Sequence, residues 1–129
     1  RDCDLISEAT MNEQSGHDEA LRMFALPNPP TAFLCSSISQ ALGVRRAAKA
    51  KGLVIGKDVS LIAHDDRLHE IRAETFDPPL TATQSSIGDA GKRVVALLIA
   101  HLTDTTAPLA NEVWPVDLVV RASTGPLQA

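Results

Sequence analysis

The sequence predicts an α/β fold built on a parallel sheet. Three observations carry this: short apolar runs of strand length alternate with helix-length amphipathic segments, proline or glycine punctuates the joins, and the composition is that of an ordinary globular domain. The 129 residues fit one domain or part of one, and 44% hydrophobic with 22% charged residues excludes a disordered chain. The elements follow in order. Asp4 to Ser7 is a short strand candidate, and Asn12 to Leu26 is a helix with Ala20, Leu21, Phe24 and Ala25 on one face. Pro27, Pro29 and Pro30 stop it, because proline lacks the amide donor and pushes its predecessor out of the helical region.

Ala32 to Cys35 is the second strand. Ser37 or Ser39 caps a helix from about Gln40 to Lys51, and Gly52 stands where a left-handed C-terminal cap is expected. Val59 to Ala63 is the third strand. Strands joined through a helix need a crossover, right-handed in nearly every parallel sheet. The charged stretch up to Asp77 suits a short irregular helix, ended by Pro78 and Pro79. Leu80 to Thr83 reads as extended, and Ile87 to Leu102 is an amphipathic helix with Ile87, Ala90, Val94, Leu97 and Leu98 on one stripe. Val113 to Val120 is the last strand, and the tail from Ala122 to Ala129 is expected to be loose.

Composition also removes whole classes of function. A net charge of −4 leaves no basic excess for general polyanion binding, and 3% aromatics supply no stacking platform for single-stranded nucleic acid. Cys3 and Cys35 form no CxxC pair, so neither a structural zinc site nor any other cofactor is expected, and a reduced, cytoplasmic protein fits best. The apolar run Val94 to Ala100 is far too short to span a bilayer, so no membrane partner is expected. The chain starts at Arg1 without a basic and apolar leader, and reads as a fragment or a processed product.

In an open parallel sheet, ligands bind beyond the carboxyl ends of the strands. That rule selects 8–14, 36–39 and 64–67. Asp65 and Asp66 offer carboxylates to hydroxyl donors, Ser36 and Ser37 donate or accept, and Met11 provides a soft apolar wall. The set suits a sugar or another polyhydroxylated molecule. Other readings stand beside it: Ser37 as a helix cap only, Asp66 as a turn residue, and His64, Asp65, Asp66 and His69 as metal ligands, although no further ligand at fixed spacing is present. A Ser37, His64 and Asp65 triad lacks the GxSxG elbow, and adjacent His and Asp side chains rarely face each other. Arg45, Arg46, Lys49 and Lys51 read as a solvated helix face, and Cys35 as a buried strand residue.

Pro30-Thr-Ala-Phe-Leu-Cys-Ser-Ser, Ala41-Leu-Gly-Val and Gly52-Leu-Val-Ile-Gly-Lys-Asp-Val-Ser-Leu-Ile-Ala-His-Asp-Asp resemble the lactose/galactose repressor (LacI/GalR) family. Pro78-Pro-Leu-Thr, the helix containing Ala90-Gly-Lys-Arg, and Leu118-Val-Val-Arg-Ala-Ser-Thr-Gly continue the resemblance in the same order. It implies a periplasmic-binding-protein-like (type I) effector domain of two α/β subdomains. Residues 1–79 would be most of the C-terminal subdomain, 80–105 a crossover belonging to the N-terminal one, and 106–129 the return strand and tail.

The resemblance further implies a non-enzymatic function: sensing of a small, sugar-like effector and homodimerisation in a bacterial transcriptional regulator. Operator DNA would be held only through a helix-turn-helix outside this chain. The alternative is an exported sugar-binding protein of a transport system. By position, Asp65 matches the family's effector-binding acid. His64 stands for its tyrosine, Met11 for a stacking aromatic, Ser37 for an asparagine, Ile38 for an aspartate and Ser85 for a glutamine. Leu42 and Phe76 fall near the family's dimer interface. The apolar stripe of the crossover helix is expected to lack its usual partner here, which would favour association.

Overall fold

Each α-helix begins where a side chain takes over an amide that the helix cannot satisfy. The computed structural model describes residues 3–65, 71–106 and 111–126. In it, Asn12 caps α1 (Glu13–Phe24) by accepting from the Ser15 amide at 2.8 Å. Ser37 caps α2 (Ile38–Ala50) by accepting from the Gln40 amide, and Ser86 caps α3 (Ile87–Thr103) by accepting from the Asp89 amide. Gly52 follows α2 with φ of 72°, the left-handed conformation expected of it.

The sheet has the order β1 (Ala32–Cys35), β2 (Ser60–Asp65), β3 (Thr81–Gln84), β4 (Asp117–Val119). β1, β2 and β3 are parallel, and β4 runs antiparallel beside β3. Phe33 pairs with Leu61 and Cys35 with Ala63, so these residues share one face with Ala82 and, at the strand ends, with Asp65 and Gln84. α2 covers that face and α1 packs on α2, enclosing a core of Ala20, Ile38, Ala41, Val44, Leu61, Ala63, Phe76, Leu80 and Ala82. The opposite face carries Leu34, Ile62, His64, Thr83 and Leu118, and Leu34 is 80% exposed.

Four expectations change. Asp4–Ser7 is not a strand: a 3₁₀ turn occupies Cys3–Leu5, and the following residues stay outside the sheet. A strand exists only through a partner's backbone, and none of the described strands pairs with this segment. The last strand is only Asp117–Val119, because β3 offers just three partners, Ala82, Thr83 and Gln84. On α1, Ala25 is the exposed C-cap, and Gly16 and Met23 are buried instead.

The tail is not loose from Ala122 to Gly125. Ser123 is fully buried, its hydroxyl donates to the Leu61 carbonyl at 2.6 Å, and it accepts from the Thr81 amide at 2.7 Å. Its own amide donates to the Pro79 carbonyl, and its carbonyl accepts from Leu61. Gly56, with φ of 83°, lets this strap approach: a Cβ there would stand 2.1 Å from the Ala122 carbonyl oxygen. Residues 127–129 lie outside the described residues.

The segment 80–105 divides within the structure. Thr81–Gln84 pairs with β2 as part of this sheet, whereas α3 buries none of its residues. Of its expected stripe, Ile87, Val94 and Leu98 are exposed, and Val95, Ile99 and Leu102 extend the apolar surface.

Candidate functional site

Because β1 to β3 are parallel, their carboxyl ends lie along one edge of the sheet, and the segments that follow Cys35, Asp65 and Gln84 leave from it. At the end of β1, Ser36 is exposed and its hydroxyl donates to Gln40 Oε1 at 2.7 Å. Ser37 is half-buried and serves as the α2 cap. At the end of β2, His64 and Asp65 are sequence neighbours and therefore point to opposite faces.

His64 is half-buried between two hydroxyls, with Nδ1 2.9 Å from Thr83 Oγ1 and Nε2 3.2 Å from Ser85 Oγ. One ring nitrogen of a neutral imidazole donates and the other accepts, and a hydroxyl complements either. Asp65 turns to the core face and is 1% exposed. Its Oδ2 accepts from the Ala73 amide at 3.3 Å and from Gln84 Nε2 at 3.4 Å. Gln84 also donates to Glu74 Oε1, which accepts from Arg121 as well. The Glu74 carboxyl lies below its ordinary range. Its own backbone amide is the largest cause, followed among the favourable ones by Gln84 and the charges of Arg121 and Arg72, which together outweigh desolvation.

The residues proposed from sequence are thus only partly united. His64 joins Thr83 and Ser85 in one polar cluster, Asp65 joins a second on the other face, and Ser37 is engaged as a cap. Met11 is 65% exposed at the turn into α1. Asp66 and His69 lie outside the described residues, and among the described ones no three His, Cys, Asp or Glu side chains come together as a metal site. Arg46 pairs with Glu13, and Arg45 lies over the Phe76 ring at 4.6 Å. Phe76, expected at an interface between copies, is 4% exposed and belongs to the core, while Leu42 is half-buried against it. Thr83 and Gln84 were not singled out from sequence, although alternation through Thr81-Ala82-Thr83-Gln84 places them on opposite faces beside His64 and Asp65.

A cleft of about 430 Å³ runs elsewhere, along the open edge of β1 between α1 and residues 5–9. Ser15, Glu19, Ser36 and Gln40 line it together with Met23 and Leu34, and neither His64 nor Asp65 does. Cys35 also lies on this wall, and burial raises its thiol to about 11. It is therefore the protonated, unreactive form at neutral pH. In a Cys3→Ser background, iodoacetamide at about pH 8 is expected to label the folded chain at least about tenfold more slowly than the unfolded one. Equal rates would show that Cys35 is reachable and ionised.

The chain leaves the sheet after β3 and re-enters it at β4, and both events occur at the edge formed by the carboxyl ends of β1 to β3, since Asp117 pairs with Gln84. α3 therefore departs from the same rim that carries His64 and Ser85. No helix of the described residues is long and apolar enough to cross a membrane.

Residues 4–124 match the family model of periplasmic binding protein-like domains. The chain is 44% identical over 122 residues to the HTH-type transcriptional regulator AglR of Rhizobium meliloti, covering 95% of this chain and 34% of that protein. It is 29% identical over 124 residues to the HTH-type transcriptional repressor CytR of Escherichia coli, covering 95% and 35% respectively. Among solved structures it superposes on the Lac repressor bound to ONPG in the repressed state with a TM-score of 0.78 and 30% identity, over 91% of this chain and 34% of that one. The chain thus spans about a third of the length of these relatives.

Proposed function

This chain belongs to the periplasmic binding protein-like domain family, in the group of LacI-type regulators, and from that premise we propose that it is the effector-sensing portion of a DNA-binding transcriptional regulator. The effector is a small, polyhydroxylated, sugar-like molecule, and no chemistry is performed on it. The observation that carries the reading is the shared rim: the polar strand ends and both connections of the excursion 85–116 lie on one edge of the sheet. A ligand at that edge touches the segment through which a second lobe would be joined. Its differential affinity for open and closed arrangements then biases DNA binding, by no more than that difference.

In this reading Asp65, Asp66, His64, Ser37 and Met11 surround the effector, with Thr83 and Ser85 orienting the His64 ring. Two copies associate through the α2 side around Leu42, and Phe76 supports that surface from beneath. Operator DNA is contacted by a helix-turn-helix outside this chain.

The reading frame upstream of Arg1 is the first test. A helix-turn-helix followed by a second subdomain is the expected result, and an export signal before that subdomain would make the protein a sugar-binding component of a transport system. In the complete protein, Asp65→Ala is expected to weaken effector affinity by about 1.5–3 kcal/mol, the scale of a charge-assisted hydrogen bond. Asp65→Asn serves as the control that retains shape. Unchanged affinity by calorimetry in both variants would remove Asp65 from the site. The 129-residue chain alone is expected to bind the effector weakly or not at all, since it contributes only one wall of a two-lobed cleft.

A further inference from the structure

From Asp65 a polar chain runs along the core face through Gln84 and Glu74 to Arg121. Gln84, the last residue of β3, stands opposite Asp65 in the register, on the same face. Its single nitrogen donates to Asp65 Oδ2 at 3.4 Å and to Glu74 Oε1 at 3.2 Å. Arg121 donates to the same Glu74 oxygen at 2.9 Å and, through its other terminal nitrogen, to the Leu80 carbonyl at 2.8 Å. The Ala73 amide, at the start of the 3₁₀ turn Ala73–Thr75, also donates to Asp65 Oδ2.

A primary amide is suited to this place. It offers two donor hydrogens on one atom, so it bridges two carboxylates without adding charge. Gln84 is also the last strand residue before the chain leaves the sheet, and Arg121 lies two residues beyond β4, by which it returns. The polar chain therefore binds both ends of the excursion to the carboxylate at the end of β2.

We infer that Gln84 is a positioning residue: its side-chain amide fixes the Asp65 carboxylate and the 3₁₀ turn to the two strands by which the chain leaves and re-enters the sheet. The position of Asp65 and that of the crossover become one mechanical state. This rests on the reading of the Asp65 end of the sheet as the effector site, and it supplies a route from that site to the second lobe.

Amide exchange measured by NMR on the 129-residue chain tests it without any ligand. The Ala73 amide reports the Asp65 carboxylate directly, because it donates to Oδ2. Gln84→Met keeps the length and removes both donors. It is expected to speed Ala73 exchange by about tenfold while the amides of Ala63 and Ala82 in the core strands keep their rates. The Glu74 carboxyl should move up towards its ordinary range, because one of the bonds holding it down is lost. Gln84→Lys, whose ammonium can donate to both carboxylates, should restore the slow Ala73 exchange.

Unchanged Ala73 exchange in Gln84→Met, equal acceleration of all amides, or no restoration by Gln84→Lys would each overturn the inference. Should Gln84→Met fail to fold, Glu74→Ala on the exposed neighbour provides the second variant, expected to speed Ala73 exchange by about threefold, with no change counting against the proposal. A complete protein that binds no saccharide would sink the effector reading and leave these rates unaffected, so the two failures are distinguishable.

Discussion

Gly43→Ala is expected to destabilise the chain by about 3 kcal/mol, despite the better helix propensity of alanine. α1 and α2 cross with their backbones in contact. A Cβ on Gly43 would stand 2.1 Å from the Glu13 carbonyl oxygen and 2.4 Å from the His17 amide nitrogen. A Cβ on Gly16, the reciprocal position, would stand 2.3 Å from the Gln40 carbonyl oxygen. Backbone cannot rotate aside as a flexible side chain does, so the helices must separate, and the core under Ala20, Ala41 and Val44 opens with them. The same change in α3 has the opposite sign. At Gly88 and Gly91 an added Cβ meets nothing within 4 Å, and alanine there should stabilise by about 0.5–1 kcal/mol through helix propensity and a less flexible unfolded chain. Urea midpoints from far-UV circular dichroism separate the cases, and an unchanged midpoint for Gly43→Ala would refute the close crossing.

Ser123→Ala is the second large effect. The substitution deletes one oxygen, but that oxygen satisfies two buried backbone groups on different strands, the Leu61 carbonyl of β2 and the Thr81 amide of β3. Each group left without a partner costs about 1–3 kcal/mol, so the loss rivals that of a large core truncation. Exchange of the Thr81 amide should accelerate beyond the general loss of stability, since its acceptor is removed outright. A Ser123→Ala variant with the parent's midpoint and Thr81 exchange would mean that water replaces the hydroxyl and that the strap is dispensable.

Both residues mark the limits of sequence reading. Ser123 lies in Ala-Ser-Thr-Gly before Pro126, a composition that signals a loose turn, and its partners are 42 and 62 residues away. Gly43 interrupts a helical pattern, where glycine is only a weak propensity signal until the crossing is known. Asp4–Ser7 failed in the other direction. Its apolar pattern is that of a strand, but no described strand pairs with it. The contrast between His64 and Asp65, by comparison, follows from the chain itself: period-two geometry turns neighbouring strand residues to opposite faces of the sheet. What alternation could not give was the identity of the groups each meets, Thr83 and Ser85 on one side, Ala73 and Gln84 on the other.

What the residues determine by themselves are the features whose causes lie within a few positions. A helix start at one of two serines, Ser37 or Ser39, of which the structure uses Ser37, the left-handed stop at Gly52 and the strand Ala32–Cys35 between Pro30 and the serines are of this kind, because helix bonds close over four residues and caps over three. The parallel α/β class and the resemblance to the repressor family also follow from the chain alone. Tertiary structure alone decided which strand edges are paired, that Asp65 faces the core, that Phe76 lies beneath Arg45, and that the tail is a strap. Those outcomes depend on groups brought together across tens of residues, where burial and an unsatisfied backbone outweigh any local preference.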